Sequence, residues 1–214
     1  MSLHAFSDTE RHAVYHAIFA RRDMRRFVPG TSVPPEALHR ILRAAHAAPS
    51  VGLMQPWRFI RITDDEVRAG IHRLVNEERI RTAEALGSRD DEFMALKVEG
   101  ILDCAELLVI ALGEGREQHV FGRRTMPQMD LASAACAIQN VWLAARAEGY
   151  GVGWVSIFDP EALAQLLGMP AGAEPIAVLC LGEVPEFPAR PQLEIDHWAV
   201  ARPLSEFVFE NGWG

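Results

Sequence analysis

The sequence predicts a layered α/β or α+β architecture, one sheet with helices on its faces. Three observations carry this expectation. Apolar residues recur at helical spacing in several long segments. Short runs rich in Val, Ile, Leu and Trp stand between them. The resulting order is helix, helix, strand, helix, helix, strand, helix, strand, helix, strand. At 214 residues the chain is long enough for one domain with a substantial core and short for two. Residues 1–214 are therefore read as a single domain with an extended C-terminal tail.

Ser7 and Glu10 have the spacing of a capping box, in which a serine side chain and a glutamate three positions on satisfy each other's backbone N–H groups. Val14 and Ile18 follow at helical spacing, so a first helix is expected to about Ala20. Pro34 and Pro35 can open a second helix, with Leu38, Ile41, Leu42 and Ala45 on one face and Pro49 closing it. Trp57 to Ile62 alternates as a strand. A long polar helix is expected from about Asp65 to Leu86, then a loop from Ser88 to Asp91 and a further helix from about Asp91 to Leu102. The unbroken apolar run Leu107 to Leu112 reads as a strand buried on both faces, followed by a loop from Gly113 to Pro127.

Met129 to Glu148 is the clearest helix, with Leu131, Ala134, Ala135, Ile138, Val141, Trp142 and Ala145 in period and Gly149 as its stop. It is largely apolar and is expected at the core. A strand at Gly153 to Phe158, a helix at Pro160 to Leu167 and a strand at Ile176 to Gly182 complete the order. From Phe187 onward no period is visible. Trp198, Phe207, Phe209 and Trp213 make this tail too aromatic for a solvated linker, so it is expected to pack on this subunit or on a partner subunit.

Composition excludes several classes. A net charge of −8 argues against a nucleic-acid binder, which needs a basic face to displace counterions. No apolar stretch approaches the ~20 residues of a membrane helix, and the first ten residues lack the basic and apolar regions of a secretory signal. The reading is a cytoplasmic protein. Cys104, Cys136 and Cys180 are odd in number, widely spaced and outside any CxxC pattern, which suits a reducing compartment. Each is read as a small buried hydrophobe.

Against the acidic background, Arg21, Arg22, Arg25 and Arg26 fall within six residues. Closely spaced guanidiniums on a loop can hold a phosphomonoester. A solvated basic helix end that complements the macrodipole is the alternative. Other clusters are weaker. His12 and His16 could share a helix face, but no third ligand follows at metal-site spacing. Gly113 and Gly115 follow a strand, yet Gln118 stands where a dinucleotide fingerprint needs glycine. Ser156 has no histidine near it in sequence, so a serine-hydrolase reading has little support.

The string RRDMRRF at residues 21–27 resembles the opening flavin motif of the nitroreductase superfamily. APSVGLMQPW at 48–57 resembles its second motif, GVGWVSIF at 151–158 its third, and RPL at 202–204 its C-terminal element. Two departures matter: Asp23 stands where most of these proteins carry serine, and Leu53 where they carry the asparagine that contacts flavin. With PQMD at 127–130, QNVWLAARAEG at 139–149 and FENGW at 209–213, the chain is similar to the flavin-consuming branch of that superfamily, the 5,6-dimethylbenzimidazole synthases.

The resemblance implies an α+β nitroreductase-like fold, with a mixed, mainly antiparallel central sheet flanked by helices, in a domain-exchanged homodimer with flavin at the subunit interface. It implies that reduced FMN is a substrate, fragmented with O2 to 5,6-dimethylbenzimidazole, the lower ligand of vitamin B12, and erythrose 4-phosphate. NAD(P)H would enter only through a separate flavin reductase. Arg21, Arg22 and Arg25 would hold the phosphate, with Arg202 a further candidate, and Met24, Ser50, Met54 and Gly153 would lie against the flavin. Gly151 and Gly153 would let backbone approach closely, and Met54 could equally be core packing. Asp23 would serve as acid/base, where its sequence neighbours alone suggest an ion pair with arginine. Ser156 would donate a hydrogen bond to the ring edge or to a peroxyl group near it, where a bond to backbone is the plainer reading. An NAD(P)H-dependent nitro- or flavin reductase and a non-catalytic flavin-binding protein are the competing readings.

Overall fold

In the computed structural model, which describes residues 4–213, the capping box forms as its spacing demands. The Ser7 hydroxyl accepts the Glu10 N–H at 3.3 Å, and the Glu10 carboxylate accepts the Ser7 N–H at 2.9 Å. This starts α1 (Asp8–Ala20). None of its residues is buried, and Val14, Tyr15, Ile18 and Phe19 are exposed. By contrast, α2 (Pro35–His46) buries Ala37, Leu38, Ile41 and Ala45.

Four strands, β1 (Trp57–Ile62), β2 (Glu106–Leu112), β3 (Gly151–Val155) and β4 (Glu174–Gly182), form one sheet in the order β1-β2-β4-β3. Every neighbouring pair is antiparallel. Side chains of β2 and β4 alternate between two cores, as the two-residue period requires. Leu107, Val109, Val178 and Cys180 pack with Ile71 and Val75 of α3 (Asp65–Leu86) and Leu163 of α6 (Pro160–Leu166). Leu108, Ile110, Leu179 and Leu181 pack with α2 and with Ile138, Val141 and Ala145 of α5 (Met129–Ala147). Cover on both faces explains why β2 is wholly apolar in its interior although its pairing is antiparallel. The architecture is α+β. Its parallel component among the described residues is an isolated bridge between Asp23 and Val152. No helix there is long and apolar enough to cross a membrane.

Several expectations need correction. The helix expected from Asp91 to Leu102 is the six-residue α4 (Asp90–Ala95), entered through a 3-10 turn at Gly87–Arg89. Arg79 Nη2 ends it by taking the Met94 and Leu96 carbonyls at 2.6 and 2.9 Å. The chain then runs out to Gly100, where an added Cβ would lie 2.6 Å from the Phe27 ring and 3.0 Å from the Arg25 carbonyl. The strand expected at Gly153 to Phe158 begins and ends earlier. Gly151 pairs with Gly182 and Val155 with Val178, and Ser156 to Phe158 leave the sheet to reach Asp159, which caps α6 by accepting the Ala162 N–H.

Cys104 and Cys180 are buried, but Cys136 is exposed, because it falls on the face of α5 opposite Ala134, Ala137 and Ile138. Leu131, on the first turn of α5, is 45% exposed. The tail divides in two. Its first part packs on this subunit: Phe187 lies under the Arg146 guanidinium at 4.0 Å, and Trp198 lies against Phe93 with ring centroids 6.1 Å apart. Between them, α7 (Gln192–Ile195) is a single turn. Beyond it Val200, Leu204, Phe207, Phe209 and Trp213 are exposed.

Candidate active site

An edge strand leaves one row of N–H and C=O groups unpaired. At the outer edge of β3 that row is taken by the arginine segment that follows α1. The Met24 N–H donates to the Val152 carbonyl at 2.9 Å, and the Trp154 N–H donates to Asp23 Oδ1 at 3.0 Å. Val152 also accepts the indole N–H of Trp142, on α5, at 2.8 Å. The docking is close enough to dictate sequence. A Cβ on Gly153 would stand 2.0 Å from the Met24 carbonyl oxygen, and one on Gly151 would stand 2.3 Å from Val184 and 2.8 Å from the Met24 side chain. The backbone that closely approaches these glycines is the protein's own.

The carboxylate of Asp23 is thereby fixed. Besides the Trp154 N–H, Oδ1 accepts Arg25 Nη1 at 2.6 Å, and Oδ2 pairs with Arg25 Nη2. Arg25 Nη2 also donates to the Trp154 carbonyl at 2.9 Å, so the pair is clamped to β3 while Asp23 keeps 41% of its side chain exposed. The other arginines are held differently. Arg22 donates to the carbonyls of Phe19, Arg21, Pro188 and Ala189, which ties the tail to the end of α1. Arg21 stacks over Trp142 at 4.8 Å, and its guanidinium has no hydrogen-bond acceptor among the described residues.

These groups face a cavity of about 340 Å³. Arg21, Arg22, Asp23 and Arg25 form one wall, and Trp154 to Ile157 at the exit of β3 form another. Phe93 and Leu96 to Val98 contribute a third, and Pro191 to Leu193, Asp196 and Trp198 cover it from the tail. Ser156 is exposed there, and its hydroxyl has no protein partner among the described residues. The indole N–H of Trp154 is buried without a hydrogen-bond partner. Arg21, Arg22, Arg25 and Lys97 against Asp23 and Asp196 leave this lining with an excess of two positive charges, in a chain of net charge −8.

Of the residues singled out in the sequence, Arg21, Arg22, Asp23, Arg25 and Ser156 are thus brought together. Met24 lines an adjoining cavity, but its side chain is 6% exposed and packs in the core. Ser50 and Met54 lie elsewhere, in a tight turn where Ser50 Oγ accepts the Gln55 N–H at 3.0 Å and the Val51 N–H reaches Ser133 of α5 at 3.1 Å. Gly52, Leu53 and Gln55 all have positive φ in this turn. Leu53 is 80% exposed. Arg202 is also remote from the cavity: it pairs with Glu206 and stacks on Phe207 in the exposed tail.

Phe93, Lys97, Gln192 and Asp196 escaped sequence reasoning because no motif surrounds them. Only Trp198 carried a signal, as part of an aromatic tail. Its position is secured by Arg89, whose guanidinium lies 3.7 Å over the indole.

A cavity with excess positive charge and apolar side chains, set at the edge of an α+β sheet, is the candidate ligand site of the chain. The chain belongs to the Nitroreductase family, whose pattern matches residues 18–183. It is 38% identical over 188 residues to the 5,6-dimethylbenzimidazole synthase of Rhodospirillum rubrum, covering 86% of this chain and 87% of that one. It is 36% identical over 184 residues to the enzyme of the same name from Rhodobacter capsulatus, covering 85% and 88%. A BluB-like flavoprotein from Clostridium difficile shares the fold, with a TM-score of 0.71 at 19% identity over 93% of this chain and 99% of that one.

Proposed function

We propose that this chain is a 5,6-dimethylbenzimidazole synthase that takes reduced FMN and O2 as substrates. The observation that carries the reading is Asp23, held by the edge of β3 and by Arg25 on the wall of a cationic cavity. An ordinary flavin reductase has no need of a carboxylate there. The residues fit FMN: the excess of two positive charges matches a phosphomonoester of about −1.5 to −2, and Phe93, Leu96, Val98 and Trp198 give an apolar lining for a heteroaromatic ring.

Reduced FMN, when bound, would supply the electrons for O2 and the carbon skeleton of the product. The chain's own residues do the rest. Arg21 has donors to spare for phosphate, while Arg22 and Arg25 add charge from positions fixed by backbone carbonyls. Asp23, held through both oxygens but with 41% of its side chain exposed, would accept and return protons at that carboxylate. Ser156 would donate a hydrogen bond beside it. Phe93, Trp198 and Leu96 exclude water from the tail side.

In this reading Ser50, Met54 and Arg202 act across a homodimer interface: they sit beside exposed apolar groups, Leu53, Phe121, Leu204 and Phe207, that a second copy would cover. The whole chain acts as a single domain, in the cytoplasm, where its three cysteines stay free. Reduced FMN comes from a separate flavin reductase.

The test is to mix the protein with chemically reduced FMN, admit air and analyse the products by mass spectrometry. Dimethylbenzimidazole with loss of FMN is expected. Recovery of intact FMN from a folded, FMN-binding protein, together with anaerobic bleaching by NAD(P)H at catalytic rates, would favour a nitro- or flavin reductase instead. The Asp23→Asn variant should still bind FMN and lose product formation by ~100-fold or more.

A further inference from the structure

Lys97 is the only lysine in a chain with 21 Lys and Arg side chains, and it lines the candidate cavity together with the arginine segment. It also lines a neighbouring cavity of about 390 Å³, which shares Asp23, Arg25, Lys97, Gln192 and Asp196 with the first. Lys97 therefore stands at the junction of the two, beside the Asp23–Arg25 pair. Its own ion pairs are long: Nζ is 3.7 Å from Glu99 and 3.5 Å from Asp103. A committed charge-assisted hydrogen bond would be about 2.7–2.9 Å. The side chain is 35% exposed, and its three donors remain largely unspent.

The arginines are in a different state. Arg22 spends its guanidinium on four backbone carbonyls, and Arg25 is tied to Asp23 and the Trp154 carbonyl. Arg21 and Lys97 are then the cations with donors available to a ligand. Without Lys97 the lining would keep an excess of one positive charge, too little to balance a phosphomonoester dianion.

We infer that Lys97 is a further substrate-contacting residue, whose ammonium donates to an anionic oxygen of the bound flavin phosphate alongside the arginines. This rests on the reading of the cavity as an FMN site. Glu99 and Asp103 pair with the ammonium at long range without saturating it. A lysine suits the role because its point charge rotates freely, whereas the planar fork of arginine needs fixed acceptors.

The experiment compares FMN and riboflavin binding to the wild type and to Lys97→Met, by quenching of flavin fluorescence. The variant is expected to bind FMN at least tenfold more weakly, roughly the worth of one charge-assisted hydrogen bond, and riboflavin with unchanged affinity. Equal weakening of both would overturn the phosphate contact, and so would equal affinity of wild type and variant for FMN. Lys97→Arg should recover part of the loss, which a purely structural role would not predict.

A second measurement needs no variant. Because Lys97 is the only lysine, an amine-reactive acylating reagent reports on it directly by peptide mass spectrometry. FMN should protect it and riboflavin should protect it less; equal labelling with and without FMN would sink the proposal. If the wild type fails to bind FMN at all, the reading of the cavity falls first, and that control is run before the comparison.

Discussion

The turn at residues 50–54 and the segment at residues 21–25 both carry flavin-like motifs, yet the fold treats them oppositely. Residues 21–25 are built into the sheet: Met24 N–H and the Asp23 carboxylate complete the β3 edge, and Gly151 and Gly153 are shaped to receive them. The turn at 50–54 is held mainly by its own hydrogen bonds and by Ser133, stands in left-handed backbone, and presents Leu53 to solvent. One region is fixed by its contacts with the sheet; the other is left open at the surface. The lesson is that a motif can mark a site without being part of the pocket its own chain forms.

The comparison breaks most sharply at Gly153. Gly153→Ala puts a methyl against the Met24 carbonyl, and because that atom is backbone of a segment hydrogen-bonded to β3, neither side can yield cheaply. A loss of about 3 kcal/mol or more is expected in urea unfolding, along with FMN binding. A variant that unfolds with the wild type would show that residues 21–25 are only loosely docked.

A smaller effect is expected on the other side, at Asp130. This carboxylate is 5% exposed and receives Arg116, Arg123 and the Leu131 N–H, so it anchors the loop that passes over the turn at 50–54. Burial pushes its pKa up, but the hydrogen bonds from Leu131, Arg116 and Arg123 outweigh it and hold the group below the ordinary Asp value. A lowered folded-state pKa means that the stabilisation is complete above the unfolded value, near 3.9, and is lost as pH falls through the folded one. Asp130→Asn should cost about 2 kcal/mol at neutral pH, and much less in acid below the folded-state value. The check is urea unfolding of both proteins at the two pH values; a difference that stays constant with pH would refute the assignment.

The smallest effect, and the only gain, is expected at Leu53. A β-carbon in left-handed backbone costs about 1 kcal/mol, a penalty asparagine largely escapes. Leu53 has φ 55° and packs on little. Leu53→Asn should therefore raise stability by up to about 1 kcal/mol, measured as a small rise in Tm. A fall would mean that the leucine is already covered, for example by a second copy, which would sharpen the comparison in the other direction.

Much of the scaffold was legible because its signals are local. The capping box, the apolar face of α2 and the full run of β2 each follow from short-range spacing or hydrophobicity. The missed boundaries were set by distant partners. Arg79 stops α4 from a different helix, and where residues 21–25 dock, β3 begins two residues and ends three residues earlier than its own pattern suggests. At the site, Arg21, Arg22, Asp23, Arg25 and Ser156 could be named because they belong to motifs. Lys97, Phe93 and Asp196 could not, since their roles arise from where α4 and the tail come to rest.

The sequence by itself determined the charge contrast between an acidic chain and a basic cluster, the order of helices and strands, and the family, because these depend on residue type and near-neighbour spacing. Only the tertiary structure decided that Asp23 completes a β-strand edge, that Arg22 is spent on backbone carbonyls, and that Ser50, Met54 and Arg202 stand apart from the cavity. Hydrogen-bond partners and exposed surface are settled by packing between segments far apart in the chain, and no local spacing encodes them.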